Sequence, residues 1–166
     1  GEFLQKLGRV HDGQQALNAV QIAKDAGFTN FNLDLMYGLP GQSIEDALSD
    51  LRHAILFEPP HISWYQLTIE PNTEFYKRPP LLPVEDALWD IQEAGLALLS
   101  QEGYQHYEIS AHAKAGHEAR HNINYWQFGD YLGIGAGAHG KITLPDSGDI
   151  IRSQKTRMPS DYLNKN

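Results

Sequence analysis

The sequence predicts an α/β protein with a mostly parallel sheet, and three observations support this. Helix-like and strand-like segments alternate along the first two thirds of the chain, which is the rhythm of βα units. Glycine and proline separate these segments. Apolar residues make up 41% and charged residues 20% of the 166 residues, as in an ordinary globular domain that can bury a core.

The first helix and the first strand have clear boundaries. Asp12 is suited to the N-cap position of a helix, and Gly27 suits the position just after its end. In the strand that follows, residues 31–36, apolar residues alternate with Asn32 and Asp34. We therefore expect one apolar and one polar face on this strand.

A second helix and strand follow. Ser43 is predicted to cap a helix that ends before Pro59, and residues 61–71 are predicted to form a strand. Alternation along this strand predicts that one face carries Trp64, Gln66, Thr68 and Glu70.

The rest of the chain is predicted in less detail. Residues 71–83 form a proline-rich loop, 84–101 an amphipathic helix and 104–110 a third strand. Residues 111–128 are predicted to be irregular, and 141–156 to form two strands joined by a turn. Residues 2–8 resemble the end of a helix and 157–166 the start of another, so we expect a fragment of a longer protein.

The polar faces of the strands predict a ligand cavity. The interior of a closed βα barrel is filled by apolar side chains, and polar groups there cost free energy unless they are paired or solvated. Asn32, Asp34, Gln66, Thr68 and Glu70 therefore indicate an open cavity that holds a polar ligand. In the alternative, Asp34 only caps the following turn and Thr68 is a surface residue.

Charge and cysteine content exclude several classes of function. The net charge is −8, which argues against a nucleic-acid-binding surface. The chain has no cysteine, hence no disulfide, thiolate metal site or cysteine nucleophile. The sequence has no run of about 18 apolar residues and begins without a signal-peptide pattern, so a cytoplasmic protein is expected.

Five segments together resemble the HemW family of radical S-adenosylmethionine (SAM) proteins, which are related to the oxygen-independent coproporphyrinogen III oxidase HemN. The segments are LGRVH (7–11), FNLDLMYGLPGQ (31–42), ISWYQLTIEPNT (62–73), HNINYWQFGDYLGIGAGAHG (121–140) and KTRMP (155–159). The HemW family carries an HNxxYW motif that the HemN oxidases lack, so HNINYW favours the HemW branch.

The resemblance implies a more specific fold. The chain would be the C-terminal part of an incomplete (β/α)6 radical SAM barrel, followed by a helix, a strand and a β-hairpin. Residues 1–83 would be the last βα units of the barrel, and residues 84–166 would be C-terminal accessory α+β elements. The family holds a [4Fe–4S] cluster through a CxxxCxxC motif, and cluster ligation needs thiolates that this chain lacks.

The resemblance also implies a SAM pocket. An arginine can grip a carboxylate with two parallel hydrogen bonds, a carboxylate accepts from hydroxyl or amino groups, and glycine lets a backbone approach a ligand. The implied SAM contacts are Arg9, Asp34, Thr68, Gly135, Ala138 and His139. A solvated surface role is the alternative for Arg9.

Heme is the implied cargo, and the family motif locates its candidate contacts. Imidazole is a common axial heme ligand, so His121 is the candidate ligand. Tyr125 and Trp126 could cover a porphyrin face. In the alternative, His121 and Asn122 only tie down a loop by hydrogen bonds.

The implied function is that of a chaperone that binds heme transiently and delivers it to haem-dependent respiratory proteins. No catalytic residue and no metal ligand is assigned within this chain. Peripheral membrane association and a homodimer are left open. Two rival functions are a coproporphyrinogen III oxidase and a metal hydrolase that uses His112, His117 and His121.

Overall fold

A four-stranded mixed sheet forms the centre of the first of two compact units, which comprise residues 1–118 and 119–166. The computed structural model describes residues 3–4 and 7–164. Parts of the predicted helix at residues 2–8 and the end of the one at 157–166 lie outside the described residues. The first unit contains α1 (Gly13–Asp25), β1 (Asn32–Tyr37), α2 (Ile44–Ile55), β2 (His61–Gln66), α3 (Glu74–Lys77), α4 (Glu85–Gln101), β3 (Gln105–Glu108) and β4 (Ala111–Ala113).

The two predicted helix caps are present. The Asp12 carboxylate accepts from the Gln15 N–H at 2.8 Å, and the Gln15 side chain accepts from the Asp12 N–H. Ser43 and Asp46 exchange the same pair of hydrogen bonds at the start of α2. Each pair satisfies donors that the first turn of a helix leaves unpaired, which fixes where α1 and α2 begin.

The order of strands in the sheet is β1-β2-β4-β3. β1 and β2 are parallel, whereas β4 pairs antiparallel with both β2 and β3. The sheet is therefore less parallel than predicted, because the third predicted strand forms a hairpin with β4 and does not lie beside β2. Within the described part of the chain, β1 is an edge strand.

Two predicted boundaries are wrong. The strand predicted over 61–71 ends at Gln66, and Leu67 makes a last hydrogen bond to the Tyr37 carbonyl at 2.8 Å before the chain leaves the sheet. Residues 111–128, predicted to be irregular, contain β4 and a helix. Ser110 has a left-handed backbone (φ 60°), which allows the tight reversal into a strand of three residues.

The core lies between one face of the sheet and helices α2 and α4. Ile62 and Trp64 of β2 are buried there, and Leu51 and Ile91 reach them from the helices. The ring centroid of Trp64 lies 4.3 Å from that of Tyr37. The predicted ligand-facing position of Trp64 is therefore wrong, because Trp64 faces the helices.

The second unit is built on the hairpin of β5 (His139–Thr143) and β6 (Ile150–Gln154), with helices α5 (Arg120–Trp126) and α6 (Pro159–Leu163). Gly140 and Lys141 are its buried residues within the described range. The predicted division after residue 83 stays a prediction. In residues 3–4 and 7–164, no helix combines the length and hydropathy needed to cross a membrane.

Candidate functional site

Arg9 and Asp34, two of the predicted SAM contacts, line one cavity of about 660 Å³ in the first unit. Ligand pockets of small molecules typically measure roughly 300–1,000 Å³. The cavity wall also carries His11, Asp50 and His53. Groups of both charges therefore line one space, which suits a ligand that carries both a carboxylate and hydrogen-bond donors.

Two neighbouring ionisable side chains, Asp50 and His53, line this cavity and affect one another. Burial raises the pKa of the Asp50 carboxyl, and the neighbouring His53 partly offsets that rise. His53 is itself anchored, since its Nδ1 lies 2.7 Å from the Ser49 carbonyl oxygen. Asp34 lies on the exposed side of β1 and contributes the more accessible carboxylate.

Behind Asp34, a row of polar side chains runs across the sheet face opposite the core. The Asn32 amide donates to Asp34 Oδ1 at 2.9 Å. Asn32 Oδ1 in turn lies 3.1 Å from the Ser63 hydroxyl and 2.6 Å from His61 Nδ1. His61 Nε2 lies 2.7 Å from the Tyr107 hydroxyl. We call Asp34, Asn32, His61 and Tyr107 the polar relay.

Sequence reasoning missed this relay. His61 lies at the start of a predicted strand, and this residue is only 5% exposed. The parallel register sets Asn32 opposite His61 and Asp34 opposite Ser63, which explains why these side chains meet. The alternation of His61, Ser63 and Tyr65 with Ile62 and Trp64 was the available signal.

Thr68 lies apart from this group. It lies past the end of β2 and lines a second cavity of about 260 Å³ with Glu70 and Thr73. The Thr68 hydroxyl donates to Glu70 Oε1 at 3.1 Å. Arg9 and Asp34 thus share one cavity, whereas Thr68 and Glu70 belong to another, and Leu7 lines both.

The glycine-rich segment of the second unit, residues 133–138, is shaped by close backbone contacts and hydrogen bonds. A Cβ on Gly133 would lie 2.2 Å from the His139 carbonyl oxygen, so this glycine permits a close backbone approach within the unit. Gly135 has φ +100° and open space around its Cα. The Gly137 N–H donates to the Thr156 carbonyl, and the Ala138 carbonyl accepts from the Lys155 N–H, at 2.7 and 2.8 Å. The Gly135 N–H donates to the Tyr162 hydroxyl at 3.2 Å and its carbonyl accepts from the Ala138 N–H at 3.3 Å, so the backbone of this segment is hydrogen-bonded within the unit.

His121, Tyr125 and Trp126 are all exposed on α5. Residues four apart lie on one side of a helix, so His121 and Tyr125 share a face, whereas Trp126 lies about a quarter turn further round. The Tyr125 ring packs edge-on against that of Tyr131, with centroids 4.8 Å apart. The structure thus places an imidazole and a phenol ring on one face of α5. His139 is exposed at the start of β5.

A buried lysine, Lys141, holds the segment between α5 and β5 in place, and its role was not predicted from the sequence. Lys141 Nζ donates to Asp130 Oδ1 at 2.7 Å and to the Phe128 carbonyl at 2.9 Å. This bond from Lys141, together with the Thr143 N–H and hydroxyl, lowers the pKa of Asp130 to about 2. Lys141 thereby ties β5 to the residues that directly follow α5.

The histidines do not support the metal-hydrolase alternative. His112, predicted to lie in an irregular loop, is a buried residue of β4 and stacks on His106 with ring centroids 4.8 Å apart. Its burial, with His106 nearby, lowers the pKa of His112 to about 4. Among residues 3–4 and 7–164, no cluster of three or more histidine, aspartate or glutamate side chains has a geometry suited to a metal ion.

Comparisons with known proteins show which family the chain resembles. No family model matches the chain. The heme chaperone HemW of Haemophilus influenzae is 62% identical over 160 residues, which is 96% of this chain and 42% of that protein. The heme chaperone HemW of Escherichia coli is 60% identical over 162 residues, 98% of this chain and 43% of that protein.

A solved structure has a matching fold. The chain matches coproporphyrinogen III oxidase (HemN) from Escherichia coli, a radical SAM enzyme, with a TM-score of 0.74. The match has 24% identity and covers 95% of this chain and 38% of that one. The fold is therefore that of part of a radical SAM protein, as predicted.

The sequence matches then identify the branch. Over the length that it spans, the chain belongs to the HemW family, which confirms the predicted resemblance. The chain spans less than half the length of these relatives. The predicted roles of the individual SAM and heme residues stay predictions.

Proposed function

We propose that the complete protein containing this chain is a heme chaperone that binds heme transiently and delivers it to haem-dependent respiratory proteins. The observation that carries the proposal is the 62% identity to a heme chaperone HemW over 96% of the chain. The exposed His121 and Tyr125 on one face of α5 are compatible with a cargo that must be released again.

The cofactor of the complete protein would be SAM, and the residues present fit it. Arg9 can bind the carboxylate of SAM, and Asp34 can accept from its hydroxyl or amino groups. Gly135, Ala138 and His139, which lie in the second unit, stay predicted SAM contacts. When bound beside a reduced cluster, SAM can supply an organic radical.

A [4Fe–4S] cluster would have to be held elsewhere in the complete protein. Its ligands are thiolates, and this chain has no cysteine. The chain's own residues therefore bind and orient SAM and heme, and no step that uses the cluster is assigned to them. Association with a membrane surface and formation of a homodimer would be consistent with delivery to respiratory proteins.

The test uses the complete protein, loaded with heme and mixed with an apo heme protein of the respiratory chain. We expect heme to move to the acceptor, which is read from the acceptor's absorption spectrum. Free heme at the same concentration is the control. Transfer no faster than from free heme would contradict the proposal.

The rival function is oxidative decarboxylation of coproporphyrinogen III, since the HemN structure shares the fold. The reconstituted complete protein is incubated with SAM, a reductant and coproporphyrinogen III. We expect no protoporphyrinogen, because HNINYW marks the chaperone branch. Formation of protoporphyrinogen at many turnovers would replace the chaperone proposal with the oxidase.

A further inference from the structure

When His61 is neutral, one hydrogen-bonding direction satisfies all four side chains of the polar relay. The Asp34 carboxylate only accepts, so the Asn32 atom that faces it must be the NH2 group. Asn32 Oδ1 is then turned toward His61, and the His61 nitrogen beside it must donate. A neutral His61 therefore carries its proton on Nδ1 and accepts at Nε2 from the Tyr107 hydroxyl.

Each partner of the relay is fixed by the sheet. Asn32 begins β1 and His61 begins β2, and the parallel register holds them opposite one another. His61 is 5% exposed, and its ring packs edge-on against Tyr107 with centroids 5.5 Å apart. Ser63 gives Asn32 Oδ1 a second donor at 3.1 Å. A flipped Asn32 amide would lose these donors and turn its oxygen toward a carboxylate.

The relay leaves part of Asp34 available to a ligand. Among the described residues, Asn32 is the donor to Asp34, and it occupies one carboxylate oxygen, Oδ1. Asp34 also lines the 660 Å³ cavity, whereas Asn32 and His61 do not. Fixing Oδ1 fixes the plane of the carboxylate and hence the direction in which Oδ2 can accept.

We infer that His61, with Tyr107 behind it, is a positioning residue that orients the Asp34 carboxylate toward a hydrogen-bond donor of bound SAM. The inference rests on the proposed role of Asp34 as a SAM contact. His61 does not touch the ligand; it acts through Asn32. With His61 neutral, the relay orients the carboxylate without neutralising it.

The first experiment measures SAM affinity of the complete protein by calorimetry. We expect Asp34→Asn and His61→Phe to weaken SAM binding, and Tyr107→Phe to weaken it by about three- to tenfold, the effect of one neutral hydrogen bond. Tyr104→Phe is the matched control. Tyr104 is a tyrosine of the same segment that donates one hydrogen bond, to the Pro59 carbonyl at 2.8 Å, and it lies outside the relay; it is buried, whereas Tyr107 is half-buried.

A double variant separates orientation from stability. If His61 acts through Asp34, adding His61→Phe to Asp34→Asn causes little further loss of SAM affinity. Equal losses of thermal stability in Tyr107→Phe and Tyr104→Phe, with loss of SAM affinity in Tyr107→Phe alone, support the inference. Equal SAM affinity in these two variants overturns it.

The second experiment determines, in the absence of SAM, which nitrogen of His61 carries the proton. Long-range ¹H–¹⁵N correlation spectra of the histidine rings should show the His61 proton on Nδ1, and Tyr107→Phe should shift part of the population to Nε2. A wild-type His61 protonated at Nε2 overturns the inference. If Asp34→Asn leaves SAM affinity unchanged, the SAM role of Asp34 fails and the inference with it. If Asp34→Asn weakens binding but neither relay variant does, the inference alone fails.

Discussion

Lys141 Nζ lies 2.7 Å from Asp130 Oδ1, and the lysine side chain is 3% exposed whereas the aspartate side chain is 43% exposed. Lys141 also donates to Thr143 Oγ1 at 3.0 Å and lies 4.1 Å from the centre of the Phe128 ring. The buried end of this pair thus organises three neighbouring groups. Gly140 and Lys141 are the buried residues in the described part of the second unit, so a paired lysine is buried there where an apolar side chain would be usual.

Replacing that lysine should loosen the start of the β5–β6 hairpin. In Lys141→Met, the Phe128 carbonyl and Asp130 lose their common donor. We expect the Thr143 amide, which donates to Asp130, to exchange with solvent about tenfold faster or more, as measured by hydrogen exchange. Lys155→Met, at an exposed position of the same unit, is the control. Unchanged protection of Thr143 would show that the pair does not hold the hairpin.

The same pair should affect acid stability. The pKa of Asp130 in the folded protein, about 2, is below its ordinary value of 3.8. Its stabilising effect is therefore complete above pH 3.8 and is lost as the pH falls toward 2. We expect Asp130→Asn to remove this acid dependence from Thr143 exchange, while wild type shows it. Parallel pH profiles would contradict the assignment.

His112 predicts a second transition at higher pH. Burial lowers its folded pKa to about 4 from 6.5, so the unfolded chain binds the proton more readily. Stability should be complete above pH 6.5 and fall by up to about 3 kcal/mol as the pH approaches 4. Urea unfolding at pH 7.5 and 4.5 measures this difference. His112→Phe should reduce it, whereas His117→Gln, at an exposed position, should keep it.

The core makes a prediction about Gly95 of α4. A Cβ at this position would lie 1.8 Å from a ring carbon of Trp64. Alanine in a helix is favoured over glycine by about 1 kcal/mol, but overpacking typically costs 1–3 kcal/mol or more, and the 1.8 Å approach puts this site at the upper end, so we expect Gly95→Ala to destabilise by roughly 2 kcal/mol. The reverse change at an exposed site of the same helix, Ala97→Gly, isolates the backbone effect. A stabilised Gly95→Ala would mean that Trp64 can move aside.

Local patterns were sufficient to predict α1, α2 and α4, because caps and periodicity are local. Asp12 and Ser43 form capping boxes with residues three positions later, and alternation located β1 and the start of β2. β4 was missed because three residues contain too little alternation to distinguish a strand from a loop. α5 was missed because it has no side-chain cap and is only seven residues long.

The polar relay could not be read from one segment. His61 and Tyr107 are 46 positions apart, and β3 carries Tyr107 to His61 only because β4 pairs with β2. The buried Lys141 was equally hidden, since burial of the adjacent Gly140 and Lys141 departs from the alternation expected of a strand. Both features depend on pairing between distant segments, which cannot be predicted from the pattern of residues within one segment.

In the proposed function α5 presents a heme contact, and a heme titration of the complete protein shows whether it does. The Soret band is followed in wild type, His121→Ala and the control His117→Ala, which removes another exposed histidine. We predict a shifted Soret band in wild type and in His117→Ala, with weaker heme binding in His121→Ala. Identical titration curves for wild type and His121→Ala would contradict the account.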